Sequence, residues 1–214
     1  MSGRMSCCSS SSRRIPFCWA LPILLGGVLV LWGCAEGPPE TDEALSEADR
    51  ELAVERGEPA AGALAQGLVG RLSAALDEGG PAYAVEFCSQ EAIPLTRSIE
   101  AEMENGLELK RTTLRWRNPD NAPDPWEEAA LQYMQELEET GEGAPEAITG
   151  PGPDGTLRYY RTLRTGPQCL ACHGGEADLD PEAARLIADA YPEDQATGYT
   201  EGEFRGLIRV QIPR

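Results

Sequence analysis

The chain has 214 residues, of which 41% are hydrophobic and 25% are charged, a composition typical of a folded domain and not of a disordered segment. Its formal net charge of -18 argues against nucleic acids and anionic lipid headgroups as partners, because both require local positive charge. The length accommodates one domain with a hydrophobic core, and we expect a single one.

The N-terminus has the pattern of a bacterial lipoprotein signal peptide. A basic, Ser-rich start precedes a mostly apolar run at 15–32, and Gly33 stands directly before Cys34. We predict a signal peptide over residues 1–33 and lipidation of Cys34, with an uncleaved membrane anchor as the alternative. Either arrangement places the rest of the chain on the periplasmic side of a bacterial membrane. Ala35 resembles the sorting signal of lipoproteins that move to the outer membrane.

The folded part is expected to begin with two helices. Residues 34–56 are acidic and interrupted by Gly and Pro, so we predict a tether before a domain at 57–214. Leucines at four-residue spacing predict an amphipathic helix, and these are Leu64, Leu68, Leu72 and Leu76. The sequence Gly79-Gly80-Pro81 ends that helix and starts a second one, which extends to about residue 104 and carries Cys88 on its apolar side.

Three strands and two further helices are predicted downstream. The strands lie at 107–114, 156–163 and 204–212, and the helices at 126–139 and 181–191. The segment 117–125 contains three prolines and forms a loop, and the Gly- and Pro-rich segment 141–155 forms a turn region. Because helices come first and strands with inserted helices follow, an antiparallel α+β domain is favoured over a doubly wound sheet.

The segment Cys169-Leu170-Ala171-Cys172-His173 has the spacing of a c-type haem attachment site. In that chemistry two thiols add to the vinyl groups of one haem, and the adjacent His binds its iron. Two intervening residues let both sulfurs reach the porphyrin edge. The motif also contains the chain's only histidine. We predict one covalently attached haem c, held by Cys169, Cys172 and His173.

Other uses of these cysteines remain open at this point. Cys169 and Cys172 form a simple disulfide in one alternative, which would leave a haem-free interaction domain. A thioredoxin-like redox pair lacks the βαβ context that such pairs have. A zinc site that adds Cys88 to the motif lacks the usual second ligand pair, and the adjacent Cys172 and His173 would crowd one tetrahedral metal.

The second axial ligand of the iron cannot be another His of the same chain. Met103 and Met134 offer thioethers, Lys110 is the only lysine, and Cys88 is the only thiol outside the motif and the N-terminal segment. A cysteine on the apolar face of a helix is more often a small buried hydrophobe than a ligand. An iron that is open on this side is a further alternative.

Several short blocks along the chain occur together, and in this order, in one protein family. They are Glu86-Phe87-Cys88-Ser89, Arg117-Asn118-Pro119, Asn121-Ala122-Pro123-Asp124 with Trp126-Glu127, the haem motif with Gly174, Tyr191-Pro192 with Asp194, Ala196, Gly198 and Tyr199, and Gly202 with Arg205-Gly206. Over about residues 60–212 the chain resembles the family of exported haem-c proteins with a PAS-like fold, first described from a cyanobacterium.

The resemblance implies a PAS-like antiparallel sheet of about five strands with N-terminal and flanking helices. It also implies one haem c whose iron has His173 and Cys88 as axial ligands. A thiolate ligand donates electron density to iron, so a low reduction potential is expected. Loss of the sulfur from ferrous iron would open a site for a small gas such as CO or NO.

Arginines near the predicted loop offer guanidinium groups for the haem propionates. These are Arg117, Arg115 and Arg111, with a solvated strand edge as the alternative role. No distal His or acid-base constellation accompanies the motif, so we do not expect an enzyme. We expect an electron carrier that docks to an unidentified redox protein through its acidic surface. The alternative is a redox or gas sensor that signals through a separate protein partner.

Overall fold

The computed structural model describes residues 45–103 and 106–214. The predicted signal peptide, the lipidation site at Cys34 and tether residues 34–44 lie outside the described residues. Within the described ranges, no helix is both long enough and apolar enough to cross a bilayer.

The described chain forms one antiparallel sheet with helices on both faces. The elements are α1 (Glu47–Gln90), α2 (Ala92–Glu102), β1 (Glu108–Thr112), α3 (Pro125–Thr140), β2 (Ala147–Pro151), β3 (Leu157–Arg164), α4 (Leu170–His173), α5 (Pro181–Ala190) and β4 (Phe204–Ile212). The strand order is β1-β4-β3-β2, and all neighbours are antiparallel. The α+β class is confirmed, and the sheet has four strands in the described residues where the resemblance implies about five.

Helix α1 begins inside the segment that the sequence predicts to be tether. The Ser46 hydroxyl accepts a hydrogen bond from the backbone N–H of Asp49 and caps the first turn. Ala53 and Gly57 are buried, so this part of the helix belongs to the domain core. Further along, Gly80 adopts φ 72° and ψ -167° and interrupts the helix. This interruption is where the sequence predicts one helix to end and the next to start.

One face of the sheet packs against the first half of α1. Small helix residues approach the strands closely, and the helix contributes Ala53, Ala60, Ala61 and Leu64 to this core. The strands contribute Leu109, Leu157, Tyr159, Ile208, Val210 and Ile212, which alternate along β1, β3 and β4. Burial of this apolar area supplies the main driving force for docking α1 on the sheet.

The opposite face of the sheet packs against α3 and contains paired charges. Asp124 caps α3 through a reciprocal arrangement with Glu127, and Pro125 occupies the first turn. The fully buried Glu127 carboxylate lies 2.7 Å from Lys110 Nζ and 3.0 Å from Arg209 Nε. Arg158, also buried, pairs with Asp124 at 2.7 Å. Each buried cation on this face therefore has a carboxylate partner, as low-dielectric burial requires.

Gly57 provides a test of how closely α1 approaches the sheet. A Cβ atom at this position would lie 2.2 Å from Tyr159 Cβ, so Gly57→Ala forces the helix away from β3. We expect the free energy of unfolding to fall by about 2 to 3 kcal/mol in urea denaturation. The control is the exposed Gly70, where a Cβ meets nothing within 4 Å. Gly70→Ala should stabilise the protein by about 0.5 to 1 kcal/mol through helix propensity, and equal effects of both substitutions would contradict the packing.

Candidate functional site

The cysteine motif lies on a short helical segment that follows β3. A 3-10 turn at Pro167–Cys169 continues directly into α4. Residues three apart lie on the same side of a helical turn, so Cys169 and Cys172 project toward the same side. The helix ends at Gly174, whose N–H donates to the carbonyl of Leu170. A Cβ at Gly174 would lie 2.7 Å from that carbonyl oxygen, so the chain passes too close for any larger residue here.

The motif faces a cavity of about 260 Å³ between α1, the sheet and α5. The part of α1 from Ala65 onward forms an apolar wall that includes Ala65, Leu68, Leu72, Leu76 and Phe87. Cys88, Cys169, Cys172 and His173 all line the same cavity. The fold therefore brings together the motif and the separate cysteine, which the sequence predicts on different elements.

His173 is held in a defined orientation by backbone groups. Its Nδ1 lies 2.6 Å from the carbonyl oxygen of Ala196, and since a carbonyl only accepts, Nδ1 carries the proton. The Nε2 lone pair is then available to bind a metal, the arrangement found in most metal-ligating histidines. Burial, with Arg117 and Arg205 nearby, lowers the pKa of His173 to about 3. The imidazole is neutral at pH 7, the form that binds metals.

Cys88 presents a free thiol to the cavity from the part of α1 that follows Gly80. Cys88 is exposed to solvent and lines this cavity. Burial raises the pKa of the Cys88 thiol, and the nearby Arg111 and Arg117 oppose that rise. A thiol with a raised pKa ionises readily only when a metal or a cation takes up its charge.

The other predicted candidates for the second axial ligand lie away from the cavity. Lys110 Nζ is bound to Glu127 and to the Ala122 carbonyl oxygen, at 2.7 Å each, on the opposite face of the sheet. Met134 is fully buried in the core under α3, and Met103 packs against the core under α1. Of the residues weighed for this role, Cys88 is the one that the structure places at the cavity wall.

The described cysteines are unpaired in the structure. Cys88, Cys169 and Cys172 are all free thiols. No group of three or more His, Cys, Asp or Glu side chains in the described ranges is arranged to hold a metal ion by itself.

Arg117 fastens the motif to the segment that follows α5. Its guanidinium lies 2.6 Å from the Cys172 carbonyl oxygen, 3.0 Å from the Asp194 carboxylate and 3.3 Å from the Ala196 carbonyl oxygen. Arg117 lines the cavity, as its predicted role in propionate binding requires, but it already has an acidic partner within the protein. Arg115 likewise pairs with Glu203, at 3.5 Å.

Sequence reasoning missed two contributors to the site. The Ala196 carbonyl orients His173, and a backbone group leaves no signature in the residue type. Arg205 lines the cavity and stacks over the Tyr199 ring, with 4.8 Å between the guanidinium carbon and the ring centroid. The block that contains Gly202, Arg205 and Gly206 could have indicated Arg205 as a site residue, because it places an arginine between turn-forming glycines at the start of a strand.

Comparison with known proteins identifies relatives of the whole domain. The model of the Tll0287-like family matches residues 40–213. The chain is also similar to the crystal structure of the cyanobacterial haem protein Tll0287, with 24% identity and a TM-score of 0.53. That similarity covers 79% of this chain and 98% of the other. No curated protein matches.

The pair formed by Arg117 and Asp194 offers a test of how the motif is held. Their side chains are 13% and 11% exposed, so Asp194→Asn leaves a largely buried guanidinium without a carboxylate. We expect the free energy of unfolding at pH 7 to fall by about 2 to 3 kcal/mol in urea denaturation. The matched control is Asp189→Asn, which breaks an exposed pair with Arg185 and should cost less than about 0.5 kcal/mol. Similar losses in both variants would contradict the fastening role of Arg117.

Proposed function

Because this chain belongs to the Tll0287-like family, we propose that it is a membrane-anchored periplasmic protein with one c-type haem that acts in electron transfer. One observation carries the proposal: a single cavity wall brings together two spaced cysteines, the chain's only histidine and a third cysteine. A similar protein, Tll0287, is described as a haem protein.

The residues of the cavity fit a covalently attached haem. Cys169 and Cys172 project from one helical turn, and their thiols are free to form thioether bonds. The Ala196 carbonyl fixes the His173 tautomer that binds iron, and burial keeps the imidazole neutral. Cys88 supplies a second donor from another part of the wall. A haem bound there supplies reversible one-electron chemistry at iron.

Charge and burial support a carrier over a catalyst. The chain has a formal net charge of -18, which suits docking to a basic redox partner and speeds the encounter. The cavity offers the neutral His173, thiols and guanidiniums, none of which is placed as a general acid-base pair for a substrate. The lipid anchor proposed at Cys34 would hold the carrier at the periplasmic face of a membrane, most simply the outer one.

A redox or gas sensor is the second candidate function, and one feature of α1 favours it. Cys88 lies on a short helical piece between the interruption at Gly80 and the turn at Glu91. A piece bounded in this way can shift as a unit if the thiol leaves the iron, and such a shift would be the signal to a separate partner. Release of the thiol would open a position for CO or NO.

Haem attachment is tested on the full chain produced together with the cytochrome c maturation machinery. We expect one haem per chain in the pyridine haemochrome assay and in the intact mass. Replacing both Cys169 and Cys172 with Ala should abolish the covalent product because no thioether bond can form. Cys88→Ser is the matched control and should keep the covalent haem. A wild-type chain whose mass lacks the haem would sink the proposed function.

The role of Cys88 is tested by ferric EPR spectra and potentiometry. Cys88→Ser removes a thiolate donor, so we expect an altered low-spin signal and a higher reduction potential. Met103→Leu is the control, because Met103 packs in the core under α1 and should leave both quantities unchanged. An unchanged spectrum in Cys88→Ser would contradict thiolate ligation. In the wild-type protein, reversible reduction without CO or NO binding identifies a carrier, and gas binding identifies a sensor.

A further inference from the structure

The cavity contains more positive charge than the protein itself neutralises. Four arginines line it, and Arg117 and Arg164 pair with Asp194 and Glu138 respectively. The other two, Arg111 and Arg205, form no ion pair with any carboxylate in the described residues. This is unexpected in a chain with twice as many acidic as basic residues.

Arg111 is the less satisfied of the two. Its Nε is buried without a hydrogen-bond partner, and no described residue accepts a hydrogen bond from its guanidinium. Burial lowers the pKa of Arg111, and only the Cys88 thiol and the Tyr191 phenol act in the opposite direction. An unpaired buried charge is strongly unfavourable unless an anion is supplied from elsewhere. Arg111 lies on β1 opposite Ile208 of β4, and its side chain lines the cavity.

Arg205 is fixed in place but is also without a negative partner. Its Nη1 donates to Thr113 Oγ1 at 3.0 Å and to the Arg115 carbonyl oxygen at 3.2 Å, and it lies 3.4 Å from the Tyr199 hydroxyl. These acceptors are neutral. They orient the guanidinium and leave its charge uncompensated. Arg111 and Arg205 belong to neighbouring strands, so both present positive charge from the same sheet.

We propose that Arg111 and Arg205 form the anion-binding pair that receives the propionate carboxylates of the haem. This inference rests on the proposed function. Two guanidiniums without carboxylates match the two propionates of one haem, and guanidinium binds carboxylate through paired hydrogen bonds. The sequence predicts this contact for Arg117, Arg115 and Arg111. Of these three, Arg117 and Arg115 already have acidic partners, in Asp194 and Glu203. The haem propionates would thus provide the carboxylates that the described part of the chain does not place beside Arg111 and Arg205.

The test compares the full chain with and without haem. In the haem-free form, Arg111→Met removes a buried unpaired charge and should raise the Tm by about 5 °C. In the haem-loaded form, the same change leaves a carboxylate without its partner and should lower the Tm by about 5 °C. The control is Arg158→Met, because Arg158 is a buried arginine that is paired with Asp124 on the other sheet face. It should lower the Tm of both forms.

The reduction potential of the haem is a second measurement, because it would not change if Arg111 had only a structural role. Loss of a positive charge near the iron favours the ferric state, so Arg111→Met should lower the potential and Arg111→Lys should retain it. The same substitutions in a Cys88→Ser background show whether Arg111 pairs with a haem propionate or with the Cys88 thiolate. A lower Tm of the haem-loaded form that persists in this background supports the propionates, and a lower Tm that vanishes there assigns Arg111 to the thiolate and overturns the proposal.

The remaining outcomes are also decisive. A lower Tm in both forms of Arg111→Met, as in the Arg158 control, overturns the proposal. If Arg111→Met accumulates no haem-loaded protein and Arg111→Lys does, the requirement for charge supports it. If neither variant binds haem, the Tm of the haem-free Arg111→Met protein is compared with that of the haem-free wild type. A higher Tm supports an unpaired cation at Arg111, and an equal or lower Tm overturns the proposal. A wild-type chain without haem refutes the proposed function itself, whereas a loaded wild type without the sign reversal refutes only this inference.

Discussion

The close approach of α1 to the sheet is the constraint on which the site depends. Gly57 lies directly against Tyr159, and the neighbouring contact residues of the helix are small. This contact anchors the first half of α1, so the rest of the helix continues past the strands with leucine side chains facing the cavity. Gly80 then changes the direction of the chain, and Cys88 reaches the same cavity on the following piece. The N-terminal part of α1 packs tightly on the sheet, and the later part of the same helix forms the wall of the cavity.

The two faces of the sheet handle buried charge in opposite ways. Under α3, Lys110, Arg209 and Arg158 pair with three carboxylates, those of Glu127, Glu108 and Asp124, so this face is balanced within the polypeptide. On the cavity face, Arg111 and Arg205 have no carboxylate among the described residues. A fold can tolerate unpaired positive charge when a tightly bound anionic group compensates it. Binding of that group then contributes directly to the free energy of unfolding. The α3 face therefore needs no cofactor to balance its charges, whereas a bound anionic group would balance those of the cavity face.

Short-range signals predicted much of this fold, and the exceptions have physical reasons. The break at Gly80 follows from the conformational freedom of Gly and the place of Pro in a first helical turn, both of which act locally. The start of α1 was missed because its inward residues are small, as at Ala53 and Gly57, and small residues give a weak apolar period. Strand β2 was missed because it contains Gly150 and Pro151, which an edge strand tolerates. The family resemblance implied a further strand that the described residues do not contain.

Residue types pointed to candidate side chains for the site, whereas contacts made by backbone groups distant in sequence left no signal. The motif gave Cys169, Cys172 and His173 directly, but no spacing rule connects His173 with the Ala196 carbonyl. The segment after α5 also donates two hydrogen bonds to backbone carbonyls of the motif region, from Gly198 N–H to Gly174 at 2.7 Å and from Tyr199 N–H to His173 at 2.9 Å. Together with the Ala196 contact, these bonds hold the backbone and the imidazole of His173 in one orientation, which would reduce the ordering cost of binding a metal. An irregular segment thus sets the orientation of the ligand, while the regular elements supply the walls around it.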